Sequence, residues 1–311
     1  MTPRSILVID IGGTNAKFAA IRNGQQLPET RQVPTPTLRA GGDPVDNLAR
    51  LIRSVGAELV GEPDAVVATI PGFLDPNHDL VRFAGNIPEL NGRRVASELR
   101  AKIGIPVTLE RDAIMALRGE HRAGAGVGVR NLLGLFFGTG VGAAFLQDGT
   151  PFRGGGFALE IGSMPFKGEG RELAGMRTDC LEAYVSGRVL RDIAARHCVP
   201  IEELFLRADA AGGLKADIDA FVRDQAMAIG MAFSLFSPDA VLLGGGICKM
   251  SGFPADRLAA LVAEHSTVSE MGVPLDIRWA QLGWEAVLHG AELAAAERAA
   301  LEEAAQPAVA R

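Results

Sequence analysis

Several things are scarce in this chain of 311 residues, and each scarcity closes off a class of function. The three cysteines, Cys180, Cys198 and Cys248, are odd in number and nowhere spaced as Cys-x-x-Cys. That excludes a disulfide framework, a zinc ribbon and a dithiol redox motif, and leaves them as buried or idle thiols. Lysine and arginine total 31 against 37 acidic residues, a net charge of -6, and aromatic residues make up only 5%. No stretch clusters basic side chains with aromatics, so nucleic acid is not an expected partner. Long apolar runs are also missing. The longest uncharged stretch, Asn131 to Gln147, is too broken by glycine to span a membrane. Met1-Thr2-Pro3-Arg4 leads straight into a strand without an apolar stretch of signal-peptide length. A cytoplasmic protein with no membrane partner is expected.

Hydrophobic residues, by contrast, reach 48% and charged residues 22%, an ordinary globular balance, and the length is comfortable for two lobes with separate cores. The most informative feature is a device that occurs twice. The strand Ser5–Asp10 runs through Gly12, Gly13, Thr14 and Asn15 into a second apolar strand that contains Lys17, and Leu132–Phe137 runs through Gly138, Thr139 and Gly140 into Val141, Gly142 and Phe145. Glycine allows tight turns and close ligand approach, and successive N–H groups at such a turn form a concave anion site. Both turns therefore read as phosphate-gripping hairpins. The Gly-Lys-Ser/Thr of a P-loop is absent, and strand-turn-strand is not a dinucleotide turn.

Asn23-Gly24 and Asp148-Gly149 mark hairpin turns. Val45, Leu48, Leu51, Ile52 and Val55 repeat at three and four, which predicts a helix over Pro44–Leu59, and Asp64–Ile70 predicts a buried strand ending at Pro71-Gly72. Further helices are expected near Arg93–Lys102, Ile114–Ala123, Asp179–Arg196 and Ala216–Phe236, with strands at Pro106–Glu110 and Ala240–Leu243, the latter ending in Gly244, Gly245 and Gly246. A closing helix from about Glu285 to Ala305 is placed to return to the first lobe. The repeated hairpin suggests internal duplication.

With these hairpins the chain resembles the actin and sugar-kinase superfamily, and within it the ROK family of sugar kinases over nearly its whole length. The resembling stretches, in order, are Asp10–Asn15, Ile70-Pro71-Gly72, Gly85-Asn86-Ile87-Pro88, Arg111-Asp112-Ala113, Phe137–Gly142, Glu160–Ser163, Cys180-Leu181-Glu182 and Pro238–Gly246. The resemblance implies an α/β, two-lobed, actin-like (ribonuclease-H-like) ATPase fold with mixed sheets and a cleft between the lobes. The first lobe would hold 1–112 plus about 285–311, and the second about 113–284.

The resemblance also implies roles. Asp112 is the expected general base, since a carboxylate within hydrogen-bond reach can accept a hydroxyl proton as the bond to phosphorus forms. Read from the residues alone, it equally suits the N-cap of the following helix. Sugar would be bound by Gly72, Asn86, Arg111, Asp112, Glu160, Ser163 and Glu182, carboxylates being natural acceptors for hydroxyl donors. Glu182 by itself could also be a solvated helix residue. ATP would lie on Asp10, Gly12, Gly13, Thr14, Asn15, Lys17, Gly138, Thr139, Gly140, Gly142, Gly244, Gly245 and Gly246, with Asp10 holding Mg²⁺ through water. Lys17 either assists or faces solvent.

The chain departs from the family pattern at two places. Arg111 stands where the family commonly has Asn, a feature that resembles the allose-kinase branch, as does the run Leu235–Asp239. The family's structural zinc site, a His and a cysteine cluster, is reduced to Cys180, with Ser163, Leu173 and Gly175 at the other three positions. No zinc is expected, and Arg171, Glu172, Arg177 and Asp179 would cross-brace the segment by ion pairs. The expected function is ATP- and Mg²⁺-dependent phosphorylation of a hexose 6-hydroxyl by a homodimer, with D-allose the leading substrate. Glucokinase, fructokinase or N-acetylmannosamine kinase activity, and a catalytically dead sugar-binding regulator, are the alternatives.

Overall fold

In the computed structural model, residues 3–85, 87–173, 175–209, 212–266 and 270–305 are described. The chain divides into two compact units. One takes the chain as far as Ala123 together with Arg153–Ala158 and the residues from Trp284 onward; the other holds Gly124–Phe152 and Leu159–Gly283.

The first unit contains β1 (Ser5–Ile11), β2 (Asn15–Arg22), β3 (Gln25–Pro34), α1 (Pro44–Leu59), β4 (Ala65–Ile70), β5 (Phe73–Leu74), β6 (Leu80–Phe83), β7 (Arg93–Arg94), α2 (Val95–Ile103), β8 (Val107–Arg111) and α3 (Asp112–Ala123). Its main sheet has the order β3-β2-β1-β4-β8, antiparallel across β1 and β2 and parallel from β1 through β4 to β8. Every residue of β4 is buried, as befits a strand covered on both faces. The period of two in β1 sorts side chains between two cores. Leu7, Ile9 and Ile11 pack with Leu48 and Ile52 of α1, where Pro44 opens the helix and the Asp43 carboxylate caps it by accepting from the N–H groups of Val45 and Asp46. Ile6 and Val8 pack on the other face with Met115 of α3 and with Val287, Leu288 and Ala291 of the C-terminal helix, Glu285–Ala305. Each of these Val, Leu, Ile and Met side chains contributes about 1.5–3 kcal/mol by leaving water. Asp10, even-numbered like Ile6 and Val8, is thereby directed to the face that α3 covers.

α3 and the C-terminal helix meet backbone to backbone. A Cβ on Gly119 would lie 1.9 Å from the Ala286 carbonyl oxygen, and one on Gly290 would lie 2.2 Å from that of Met115. Buried Arg118 of α3 adds two hydrogen bonds to Glu297, at 3.0 and 2.6 Å. A bulky residue at Gly119 would separate the helices. The expected boundary at 112/113 therefore falls one helix later: α3 belongs to the first unit, because its apolar face is buried on β1 and the C-terminal helix.

The second unit contains β9 (Leu132–Phe137), β10 (Val141–Gln147), β11 (Thr150–Pro151), α4 (Glu182–Val185), α5 (Gly187–His197), α6 (Leu214–Phe236), β12 (Ala240–Gly244), α7 (Ala255–His265) and β13 (Ile277–Trp279). Its sheet runs β11-β10-β9-β12-β13, with β9 and β10 antiparallel and β9, β12 and β13 parallel. Strand for strand this is the topology of the first sheet. The single helix expected over Asp179–Arg196 is broken. Ser186 is extended (φ −93°, ψ 165°), and the Gly187 N–H leaves the helical ladder to donate to the Gly138 carbonyl at 2.8 Å.

Candidate active site

In the first unit the turn between β1 and β2 is closed by the Gly12 N–H donating to the Asn15 carbonyl at 3.0 Å, and the Thr35 hydroxyl donates to the Gly12 carbonyl at 2.7 Å. Gly13 and Thr14 are left exposed at its tip. Asp10 is fixed by a residue the sequence reading passed over. Fully buried Thr69, opposite Asp10 in the parallel register, donates its hydroxyl to Asp10 Oδ1 at 2.7 Å and accepts the Ile11 N–H at 3.1 Å. The only sign of it in the sequence is a lone hydroxyl in the otherwise apolar strand Ala65–Ile70. Lys17 holds its ammonium 5.7 Å from the centre of the Trp284 ring, a cation–π distance.

Asp112 is the first residue of α3 and accepts the Ala113 N–H at 2.8 Å. Its side chain keeps a solvent-facing surface, yet the protein packed around it desolvates the carboxylate and raises its pKa above the usual 3.8. The Ala113 N–H opposes the shift, the Asp10 carboxylate adds to it, and the Arg111 guanidinium opposes it. A raised carboxylate that solvent can reach is a stronger proton acceptor than an ordinary aspartate. Gly72 joins β4 to β5, and Asn86 lies outside the described residues. Arg111 is buried, and its Nη1 donates to the Ala158 carbonyl at 2.6 Å. Behind β8 lies a cavity of about 440 Å³ lined in part by His78, Glu110, Arg118 and Arg153.

In the second unit the turn after β9 is tighter: the Gly138 N–H donates to the Gly140 carbonyl at 2.9 Å. Thr139 is exposed at its tip, and Gly142 lies two residues on, in β10. Glu182 lies directly against this turn. Its Oε2 accepts the Val141 N–H at 3.0 Å, and its Oε1 is 3.9 Å from Arg188. A Cβ on Gly140 would sit 2.5 Å from Glu182 Oε2, so only glycine admits the carboxylate there. Gly162, in the turn that carries Glu160 and Ser163, approaches the same oxygen, which a Cβ would meet at 3.1 Å. The Gly138–Gly140 turn and the Glu160–Ser163 turn thus share one carboxylate. Gly244 ends β12, and Gly245, at φ +95°, turns the chain into Gly246 against the Phe137 carbonyl.

The segment that joins these turns is braced mainly by hydrogen bonds and ring contacts, rather than by the expected pairing of Arg171, Glu172, Arg177 and Asp179. Asp179 accepts the N–H groups of Gly170 and Arg171 and the Tyr184 hydroxyl, at 2.9, 2.8 and 2.5 Å. Arg171 stacks 4.6 Å from the centre of the Tyr184 ring, and Lys167 pairs with buried Asp224 at 2.5 Å. Burial, and then the Asp179 bond, push the Tyr184 hydroxyl up to about 12. Cys180 is buried, its backbone bridged to Pro165. Among the described residues, no three His, Cys, Asp or Glu side chains are grouped to hold a metal ion.

Two hairpins of one topology thus carry carboxylates beside their turns, Asp10 at the first and Glu182 at the second. The chain belongs to the ROK family, whose model matches residues 6–298. Its class is that of the sugar kinases with a two-lobed, actin-like fold. It is 30% identical over 260 residues to an N-acetyl-D-glucosamine kinase of Vibrio parahaemolyticus, covering 76% of this chain and 83% of the relative. It is 28% identical over 306 residues to a glucokinase of Streptomyces coelicolor, covering 91% and 95%. A ROK family glucokinase from Streptomyces griseus, solved with glucose and AMPPNP, matches with a TM-score of 0.78 and 25% identity over 93% of this chain and 99% of its own. Among the described residues no helix is long and apolar enough to cross a membrane.

Proposed function

We propose that the protein transfers the γ-phosphoryl group of ATP to the 6-hydroxyl of a hexose, with Asp112 as general base. The observation that carries this is the Asp10 and Asp112 carboxylates, near enough that Asp10 adds to the raised pKa of Asp112: the first, near the end of β1, is held by Thr69 beside a phosphate-type turn, and the second opens α3 and keeps a solvent-facing surface. Asp112 would orient the hydroxyl and take its proton as the oxygen attacks phosphorus. The turns at Gly12–Asn15 and Gly138–Gly140, with Lys17, Gly142 and Gly244–Gly246, would receive the nucleotide. Gly72, Asn86, Glu160, Ser163 and Glu182 would receive the sugar.

Asp10 fits Mg²⁺. It is a hard oxygen donor with one carboxylate oxygen satisfied by Thr69, which suits a cation that keeps most of its waters. When bound, the ion would offset negative charge on the phosphates. No structural zinc is proposed, the Tyr184–Asp179 and Lys167–Asp224 contacts taking over its bracing role. A cytoplasmic homodimer that binds no nucleic acid is proposed with it.

D-Allose is the leading substrate because the residue at position 111 and the Leu235–Asp239 run resemble the allose-kinase branch, not because Arg111 is taken to touch sugar; glucose and N-acetylglucosamine follow from the relatives. A coupled ADP-release assay with allose, glucose, N-acetylglucosamine, N-acetylmannosamine and fructose tests this. Sugar-dependent turnover that needs Mg²⁺ and is lost in Asp112→Asn is the expected result. No turnover with any of these hexoses would overturn the reading.

A further inference from the structure

Arg111 and its neighbour Glu110 both hold the short segment Arg153–Ala158. Adjacent residues of a strand point to opposite faces, and β8 is the edge strand of its sheet, so the two side chains grip the segment from two sides. On one side Glu110, 2% exposed, accepts from Arg153 Nη2 at 2.6 Å through Oε2, and its Oε1 accepts the Arg111 N–H at 3.0 Å. On the other, Arg111, 5% exposed, donates to the Ala158 carbonyl at 2.6 Å. The segment is also tight in its middle, where Gly156 runs against the Leu74 carbonyl and a Cβ would come within 2.7 Å of that oxygen.

The residue after the gripped carbonyl is Leu159, buried and at φ +63°. A leucine in the left-handed region is a steric outlier that persists only where surrounding contacts over-determine it. The next residue is Glu160. The geometry points to Arg111 as a positioning residue: by holding the Ala158 carbonyl it keeps Leu159 in its left-handed conformation and so sets the direction in which Glu160 leaves the chain. This rests on the proposed role of Glu160 toward sugar, and it gives Arg111 an influence on sugar binding that passes through the backbone.

Three measurements test it. Amide exchange of residues 155–160, read without sugar or nucleotide, is at least about tenfold faster in Arg111→Met than in the wild type, because the carbonyl loses its charge-assisted donor. Unchanged exchange overturns the clamp. In kinetics with the best sugar of the panel above, Arg111→Met raises the sugar KM at least about tenfold, while kcat and the KM for ATP stay within about threefold; the factor is the same for every sugar accepted. A changed ratio between sugars would make Arg111 a direct ligand and overturn the inference. Finally, the double variant with Glu160→Gln is no worse than Glu160→Gln alone, since the two act through one interaction, whereas multiplying effects overturn it. Arg111→Lys, which keeps the buried charge and one donor, serves if the methionine variant does not fold, and an intermediate rise in KM is expected. Should no hexose be phosphorylated, the kinase reading fails while the exchange measurement still decides the clamp.

Discussion

The two sheets share a strand order, and their hairpins share a motif, yet the turns are equipped in opposite ways. The first turn spans four residues between Ile11 and Ala16, and Asp10, near the end of its first strand, is held by a hydroxyl. The second spans three residues between Phe137 and Val141, and its acidic neighbour, Glu182, is held by a backbone N–H and packed against a glycine. Repetition supplied two equivalent platforms. One platform carries Asp10 and lies in the unit that holds Asp112, the two carboxylates proposed for metal and proton chemistry, and the other receives a carboxylate that ties its turn to a neighbouring loop.

The sharpest test of this division is Asp112→Asn, expected to lower kcat at least about 10²-fold with sugar KM within about threefold, since a proton acceptor is lost and the shape is kept. Near-normal turnover would dissolve the distinction between the platforms. In the wild type the acid limb of kcat/KM should lie above the ordinary 3.8 of an aspartate, because desolvation and Asp10 favour the protonated form and activity needs the ionised one; a limb at or below 3.8 would remove Asp112 as the titrating group.

Thr69→Val comes next. It removes the hydroxyl that fixes Asp10 in a near-isosteric change, and kcat should fall about tenfold with a higher Mg²⁺ requirement and little change in sugar KM. An unchanged Mg²⁺ titration would show that Asp10 needs no such partner. Gly140→Ala should destabilise by about 1–3 kcal/mol in denaturant unfolding, because the added Cβ overlaps the Glu182 carboxylate. Gly138→Ala, whose Cβ would meet nothing closer than the Gly140 carbonyl at 4.0 Å, should cost under about 1 kcal/mol. Equal costs would mean that Glu182 moves aside freely.

The smallest effect concerns Tyr184. Its folded pKa, raised to about 12 from 10.0, gives stability that is complete below pH 10 and lost as pH rises toward 12, where the unfolded chain ionises first. Tyr184→Phe should flatten that alkaline decline of Tm, and an identical decline would assign it to other groups.

Where local chemistry decides, the sequence was readable. The three-four apolar repeat gives α1, Pro44–Leu59, to the residue, the Gly-Thr turns give both hairpins, and the closing helix follows from its length of alanine and leucine. Where a distant partner decides, it was not. The Ser186-Gly187 pair only weakens a helix locally; the break is fixed by the Gly187 N–H donating to the Gly138 carbonyl, dozens of residues away. The short strands β5, β6 and β7 have too few residues to show a period. Thr69, the Ala158 partner of Arg111 and the placement of Glu182 under Gly140 all depend on register or on contacts dozens of residues away. The family's residue pattern names candidate positions for the site, but not what holds them.

The backbone contact of α3 with the C-terminal helix has a consequence for biosynthesis. Gly119 and Met115 wait for Ala286 and Gly290, so the unit that carries Asp112 cannot bury its second core until nearly the whole chain has left the ribosome. The other unit closes its sheet once β13 emerges. The later-made domain would thus be completed first, and the nascent first sheet would spend most of synthesis with one apolar face uncovered, a window in which a holding chaperone has something to bind.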